Sequence, residues 1–305
     1  MALEGIFLGF ATEADGMLVD AMTSGVTAAL GYVRNPLRAM LGLYVIIHGM
    51  RMVAGEGSGR SFIFAVVRAV CVVSILQAAY YVPWVQQQFF TALPNDLAAA
   101  LNGPRITVNT AQQFDALWSA SLNAAGLILK KASGLLNIMD RGIVWVFAFA
   151  GLGGILVMFA VFYMSKVTIA VLIIMGPFLI VFYLFSGTRG ITTGWIGKTV
   201  GVLCWQLAAA VVVRLVIVAI HTRMSLMQAN PGGSIDEMTG TYAGITALFW
   251  LGAMFMAVIP TAVAVGGGVG AAHVAGVAGS ASIIGRAHAG ALSAGRLAAL
   301  RFRRK

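Results

Sequence analysis

Residues 175–197 read MGPFLIVFYLFSGTRGITTGWIG. The run opens as a membrane-spanning helix would, yet it carries Gly176 and Pro177 inside a longer apolar stretch. It then leaves that stretch at Thr188 and Arg189, and Gly187, Gly190, Gly194 and Gly197 recur at steps of three and four. Proline removes a backbone donor and its ring crowds the preceding turn, so a kink or break is expected at Pro177. Within a bilayer such a break survives only where the freed backbone groups face protein or water. The stretch therefore predicts a kinked or re-entrant segment over 167–186, with an ordinary proline-kinked span as the alternative.

The surrounding composition sets the class. The chain is 60% hydrophobic and only 10% charged, against roughly 25% charged residues in a soluble domain. It reads as an all-α polytopic membrane protein. Hydrophobic segments lie at 39–55, 61–85, 143–165, 167–186, 199–220 and 243–265, several of them near the ~20 residues that cross ~30 Å of hydrocarbon. Residues 1–33 hold Glu4, Glu13, Asp15 and Asp20 with no Lys or Arg, the reverse of a signal-peptide n-region, so the first hydrophobic segment is expected to act as an uncleaved insertion signal. Cys71 and Cys204 fall within predicted spans without spaced partners; they read as buried small apolar residues, and no disulfide, metal or cofactor is expected.

Charge orients the segments. Lys and Arg mark the cytoplasmic side of short loops, which puts the turn with Arg51 and Arg60 and the linker with Arg189 and Lys198 inside. The acidic N-terminus reads as outside, and so, weakly, does the 221–242 linker with Asp236 and Glu237 against Arg223. The tail holds Arg286, Arg296, Arg301, Arg303, Arg304 and Lys305 with no acid after Val265; it reads as a cytoplasmic segment that attracts anionic phospholipid. Parity then requires 143–186 to supply one net crossing, giving about five in total from six hydrophobic segments. The organisation predicted is an acidic amphipathic stretch at 1–38, two spans within 39–85, a periplasmic helical loop at 86–142, a transmembrane region at 143–265 and a basic Gly/Ala-rich tail at 266–305.

Two further patterns concern packing. Phe114, Leu117, Trp118, Leu122, Ala125, Ile128, Leu129, Leu135, Leu136 and Met139 follow helical spacing and predict an amphipathic helix over 110–139; the first 33 residues show a similar pattern. Each must bury its apolar face against this chain, another subunit or the bilayer surface. Gly187, Gly190, Gly194, Gly197 and Gly201 leave one face of a single helix without side chains, which lets helices approach closely; contact with a helix of the same chain is favoured over a subunit contact. Arg214, deep in CWQLAAAVVVRLVIVAI, is expected to face a bundle interior, a water-filled passage or a polar group, or else to snorkel to the interface.

No reactive constellation is present. The predicted spans contain no Asp or Glu, the histidines are scattered, and neither GxSxG nor HExxH occurs, so an enzyme is not expected. A secondary transporter would show repeated helix breaks and ionisable groups at the midplane; one Gly-Pro break without a carboxylate fits it poorly. The residues GPFLIVFYLFSGTRGITTGWIGKTV resemble the Gly-Pro, Phe-x-x-Thr-Arg and Trp signature of the polytopic inner-membrane subunit of bacterial type IV secretion systems, the sixth VirB subunit and its TrbL relatives. The matching positions are Gly176, Pro177, Phe185, Thr188, Arg189 and Trp195, and the order of parts extends the resemblance over most of the chain. It implies about five crossings, a periplasmic N-terminus and central loop, and a cytoplasmic C-terminus. It also implies a channel and pilus assembly role, with homo-oligomer formation, pilus, core-complex and inner-membrane ATPase partners, and a transient DNA or protein substrate.

Overall fold

A computed structural model describes residues 5–94, 96, 100, 110–132, 137–229 and 232–263. The basic tail and the PND and NGP turn signals of the central loop lie wholly or partly outside these residues. Among the described residues all regular structure is helical. The helices are α1 (Ile6–Val53), α2 (Gly59–Ile75), α3 (Ala78–Ala92), α4 (Thr110–Lys131), α5 (Ile138–Val181), α6 (Arg189–Ala229) and α7 (Ile235–Val263). Within α3 the segment Val82–Ala92 is π-helical, and α5 tightens into a 3-10 turn at Phe182–Leu184.

The expected break at Gly176-Pro177 is not there. Helix α5 runs without interruption for 44 residues, about 66 Å at 1.5 Å per residue, so the segments 143–165 and 167–186 are one helix. Lys166, which divided them on hydropathy, is simply a charge along its length. The sharp bend falls instead within the segment expected as a single span at 61–85: α2 and α3 meet at 76°. Gln77 adopts extended backbone there, and its carbonyl accepts from the amides of Tyr80 and Tyr81, starting a new helix. Among the described residues three helices, those carrying Ile138–Leu184, Arg189–Ala229 and Ile235–Ile259, are long and apolar enough to cross a membrane, and the bent α2–α3 pair makes a fourth if it counts as one span.

Side-chain contacts fix the relative direction of the helices. Phe7, Phe10, Asp15, Tyr32 and Tyr44 of α1 meet Phe159, Tyr163, Lys166, Phe178 and Phe185 in that order, so α1 runs parallel to the α5 region. Helix α6 returns antiparallel, Thr192 bonding to Leu179 and Trp195 to Leu172. Helix α7 is again parallel to α5, with Thr246 on Phe147 and Trp250 on Ala150. Two apolar cores result. One gathers the start of α1, all of α4, the first half of α5, the second half of α6 and α7. The other gathers the rest of α1, α2 and Tyr81 with the Gly-Pro end of α5 and the start of α6.

Helix α4 packs within the chain. It buries Phe114, Leu117, Ala124 and Ile128, and the Asp115 carboxylate accepts from the amides of Phe7 and Leu8, both at 2.9 Å. Helix α1 has no side-chain cap of its own, so Asp115 serves its orphan amides from 107 and 108 residues away. The helix ends at Lys131 and not near 139. Met139 belongs to α5 and is exposed, whereas Leu135 and Leu136 lie outside the described residues. Lys131 reaches the Gly233 carbonyl at the far end of the bundle. An Asp115→Ala variant is expected to cost about 1–2 kcal/mol locally, read as roughly tenfold faster amide exchange confined to residues 6–9. Unchanged exchange there would show that the contact does not hold the helix start.

The buried placement expected for the two cysteines is corrected. Cys71 is exposed and Cys204 half-buried. On a span the outer face meets hydrocarbon, which is as apolar as a core and places no penalty on such a residue.

Candidate functional site

Pro177 cannot donate to the carbonyl four residues earlier, that of Ile173. The structure supplies the missing donor. The hydroxyl of Tyr81, fully buried on α3, donates to the Ile173 carbonyl. Tyrosine suits this place because its ring belongs in an apolar core while its hydroxyl needs an acceptor, and a proline helix offers one. Gly176 makes the approach feasible, since a Cβ there would lie 2.0 Å from the Tyr81 oxygen and 2.9 Å from the Trp195 ring. Trp195 packs at the same point, its indole Nε1 donating to the Leu172 carbonyl at 2.9 Å. One turn along, Thr192 donates to Leu179 at 2.6 Å.

The rest of the motif forms the following turn. Thr188 Oγ1 donates to the Phe182 carbonyl at 2.8 Å, and the amides of Thr188 and Arg189 bond to the Phe185 carbonyl, which stops α5 and starts α6. The Phe185 ring meets Tyr44 of α1 edge-on at 5.8 Å. The Arg189 guanidinium lies 5.2 Å from the centre of the Tyr183 ring. Gly176, Pro177 and Trp195 are thus in one contact, and Phe185, Thr188 and Arg189 build the adjoining turn. The joint ties α1, α3, α5 and α6 together. The Tyr81 bond holds the carbonyl that the proline releases, so the position is a bonded crossing point.

The glycine stripe lies elsewhere on the same helix. A Cβ on Gly187, Gly190, Gly194, Gly197 or Gly201 would meet nothing within 4 Å among the described residues, so the contact expected within this chain is not found there. The inward stripe of α6 is Thr192, Trp195, Thr199, Leu203 and Gln206. Close approach is made by other glycines: Gly151 and Gly154 of α5 against Phe249, and Gly252 of α7 against Met158 and Val216. Arg214 is half-buried between the buried Val213 and Val216 and has an interaction within the chain.

Lys166 and Arg68, which the sequence alone did not single out, also make contacts across helices. Lys166 pairs with Asp15 at 2.5 Å, and Tyr163 donates to the same carboxylate at 3.2 Å. Beside them a cavity of about 660 Å³ opens between α1 and α5, lined by Phe7, Phe10, Leu156, Phe159 and Tyr163. Arg68, inside the 61–85 segment, lies 5.9 Å from the Tyr183 ring centre, so two guanidinium groups meet one tyrosine. The signal for each was a charge inside an apolar run, the criterion that singled out Arg214.

With only helices among the described residues, three to four of them able to span a bilayer, the chain is a multi-pass membrane protein. Residues 41–260, a range that contains the whole Gly-Pro joint, match the family described as TrbL/VirB6 plasmid conjugal transfer protein, and the chain belongs to that family. It is similar to Protein VirB6 of Agrobacterium fabrum (strain C58 / ATCC 33970), 28% identical over 280 residues that cover 87% of this chain and 91% of the relative. Protein VirB6 of Rhizobium radiobacter is 28% identical over 306 residues, 93% and 94% of the two chains. The type IV secretion system protein VirB6 of Bartonella quintana (strain Toulouse) is 25% identical over 250 residues, 80% and 74% of the two.

Proposed function

We propose that this chain is an inner-membrane subunit of a bacterial type IV secretion system, supporting assembly of the secretion channel and pilus and the passage of DNA or protein substrates. The observation that carries this reading is the kinship over nearly the whole chain, with the match at 41–260 spanning the joint built on Gly176, Pro177 and Trp195. The partners are pilus and core-complex subunits, the inner-membrane ATPase complex and further copies of the chain. Deleting the gene from a host whose secretion depends on it should abolish substrate transfer and surface pili, with both restored in trans. Undiminished transfer after deletion would end the proposal.

The proposed arrangement has five net crossings, with the N-terminus and α4 periplasmic and the C-terminus cytoplasmic. Support comes from the charge of the loops and from the grouping of α4 with the start of α1 and the 227–238 turn in one core. In a variant lacking Cys71 and Cys204, a cysteine at the exposed Gln112 should react with a membrane-impermeant maleimide in intact cells. One at the exposed Glu56 should react only after lysis; Ser58 is left intact because it caps α2. The reverse labelling pattern would invert the orientation.

A further inference from the structure

Tyr183 sits in the turn that ends α5, and two arginines from separate helices lie over its ring: Arg68 of α2 at 5.9 Å and Arg189, the first residue of α6, at 5.2 Å. Like charges drawn to one ring call for a compensating anion. Among the described residues neither guanidinium is paired with a carboxylate or donates a hydrogen bond, and the Arg189 Nε is buried without a partner. A guanidinium engages a ring through its cationic face and keeps its in-plane N–H groups for an acceptor. That fork matches the oxygens of a phosphate. The N-terminal amides of the 41-residue α6 add positive potential at the same place.

The chemistry on either side of Arg68 narrows the source of the phosphate. Phe64 and Cys71, one helical turn before and after it, are exposed, and Ile63, Val67 and Val70 beside them are exposed as well. An aqueous anion has no use for that surface. A phospholipid has, because its acyl chains cover the apolar face of α2 while its phosphate occupies the donors. We propose that Arg68 and Arg189, flanking Tyr183, bind the phosphate of an anionic phospholipid whose acyl chains lie along the Phe64–Cys71 face of α2. The site tethers α2 to the joint between α5 and α6, since one arginine comes from each side.

Native mass spectrometry of the full chain released from nanodiscs tests this with phosphatidylglycerol and phosphatidylcholine as probes. The wild type should retain phosphatidylglycerol at least about tenfold more than phosphatidylcholine. Arg68→Gln/Arg189→Gln should bring the two to the same level, while Arg223→Gln, at the opposite end of the bundle, should change nothing. Arg68→Lys/Arg189→Lys keeps the charge without the fork and should retain an intermediate amount; it also carries the test should the glutamine variant unfold. Equal retention of both lipids by the wild type, or unchanged preference in a folded double variant, would overturn the site. Displacement by excess inorganic phosphate alone would assign the arginines to a free phosphate, and displacement by a single-stranded oligonucleotide would assign them to nucleic acid; either result removes the lipid.

Discussion

Gly176→Ala is expected to destabilise the protein by about 3 kcal/mol, at the upper end for overpacking a core, and to lower its abundance in the membrane several-fold. The added methyl would lie 2.0 Å from the Tyr81 oxygen and 2.9 Å from the Trp195 ring, and neither group is free to retreat. Tyr81 is fully buried and bonded to the Ile173 carbonyl; Trp195 is bonded to Leu172. Tyr81→Phe alone should cost about 1–3 kcal/mol, because the carbonyl that Pro177 leaves open then has no donor. The double variant carries the sharper signature. Removing the hydroxyl leaves the ring carbon at 3.1 Å as the nearest Tyr81 atom, so the two losses should combine to less than their sum. Thermal unfolding in detergent measures all three. Strict additivity would mean that the glycine does not make room for the tyrosine.

How far the sequence carried this joint depends on what a proline states and what it withholds. Pro177 declares an unsatisfied carbonyl, and a membrane forbids leaving it so; the need for a partner was therefore legible. Which partner was not, since Tyr81 is 92 residues from Ile173. The same freed carbonyl was read as a break, because nothing local says that a distant hydroxyl will bond it and let the helix continue. Lys166 misled for a related reason. Hydropathy treats a lysine as the end of a span, whereas a carboxylate on a parallel helix lets the helix continue through it. The all-helical class was legible in the composition and the length of the apolar runs, and the apolar face of α4 in its helical spacing. The bend at Gln77 was not, lying in a run with no glycine or proline at the break itself.

The glycines yield the second large effect. Period alone marks several stripes on a helix without saying which faces inward, and the stripe from Gly187 to Gly201 is the open one, while Gly154 carries the close approach. A Cβ on Gly154 would lie 2.9 Å from the Cβ of Phe249 and 3.1 Å from its backbone carbon. Backbone cannot rotate away as a side chain can, so Gly154→Leu must push α5 and α7 apart. It should cost about 3 kcal/mol or more and also strain the bonds of Trp250 to Ala150 and Thr246 to Phe147. Gly194→Leu enters open space and should leave the thermal transition of the isolated chain within about 0.5 kcal/mol of wild type. If the stripe serves contacts between copies, that variant folds normally and fails in cross-linking of the assembled complex, whereas Gly154→Leu fails already as a single chain. A stable Gly154→Leu protein with intact α5–α7 contacts would contradict the close packing described for these two helices.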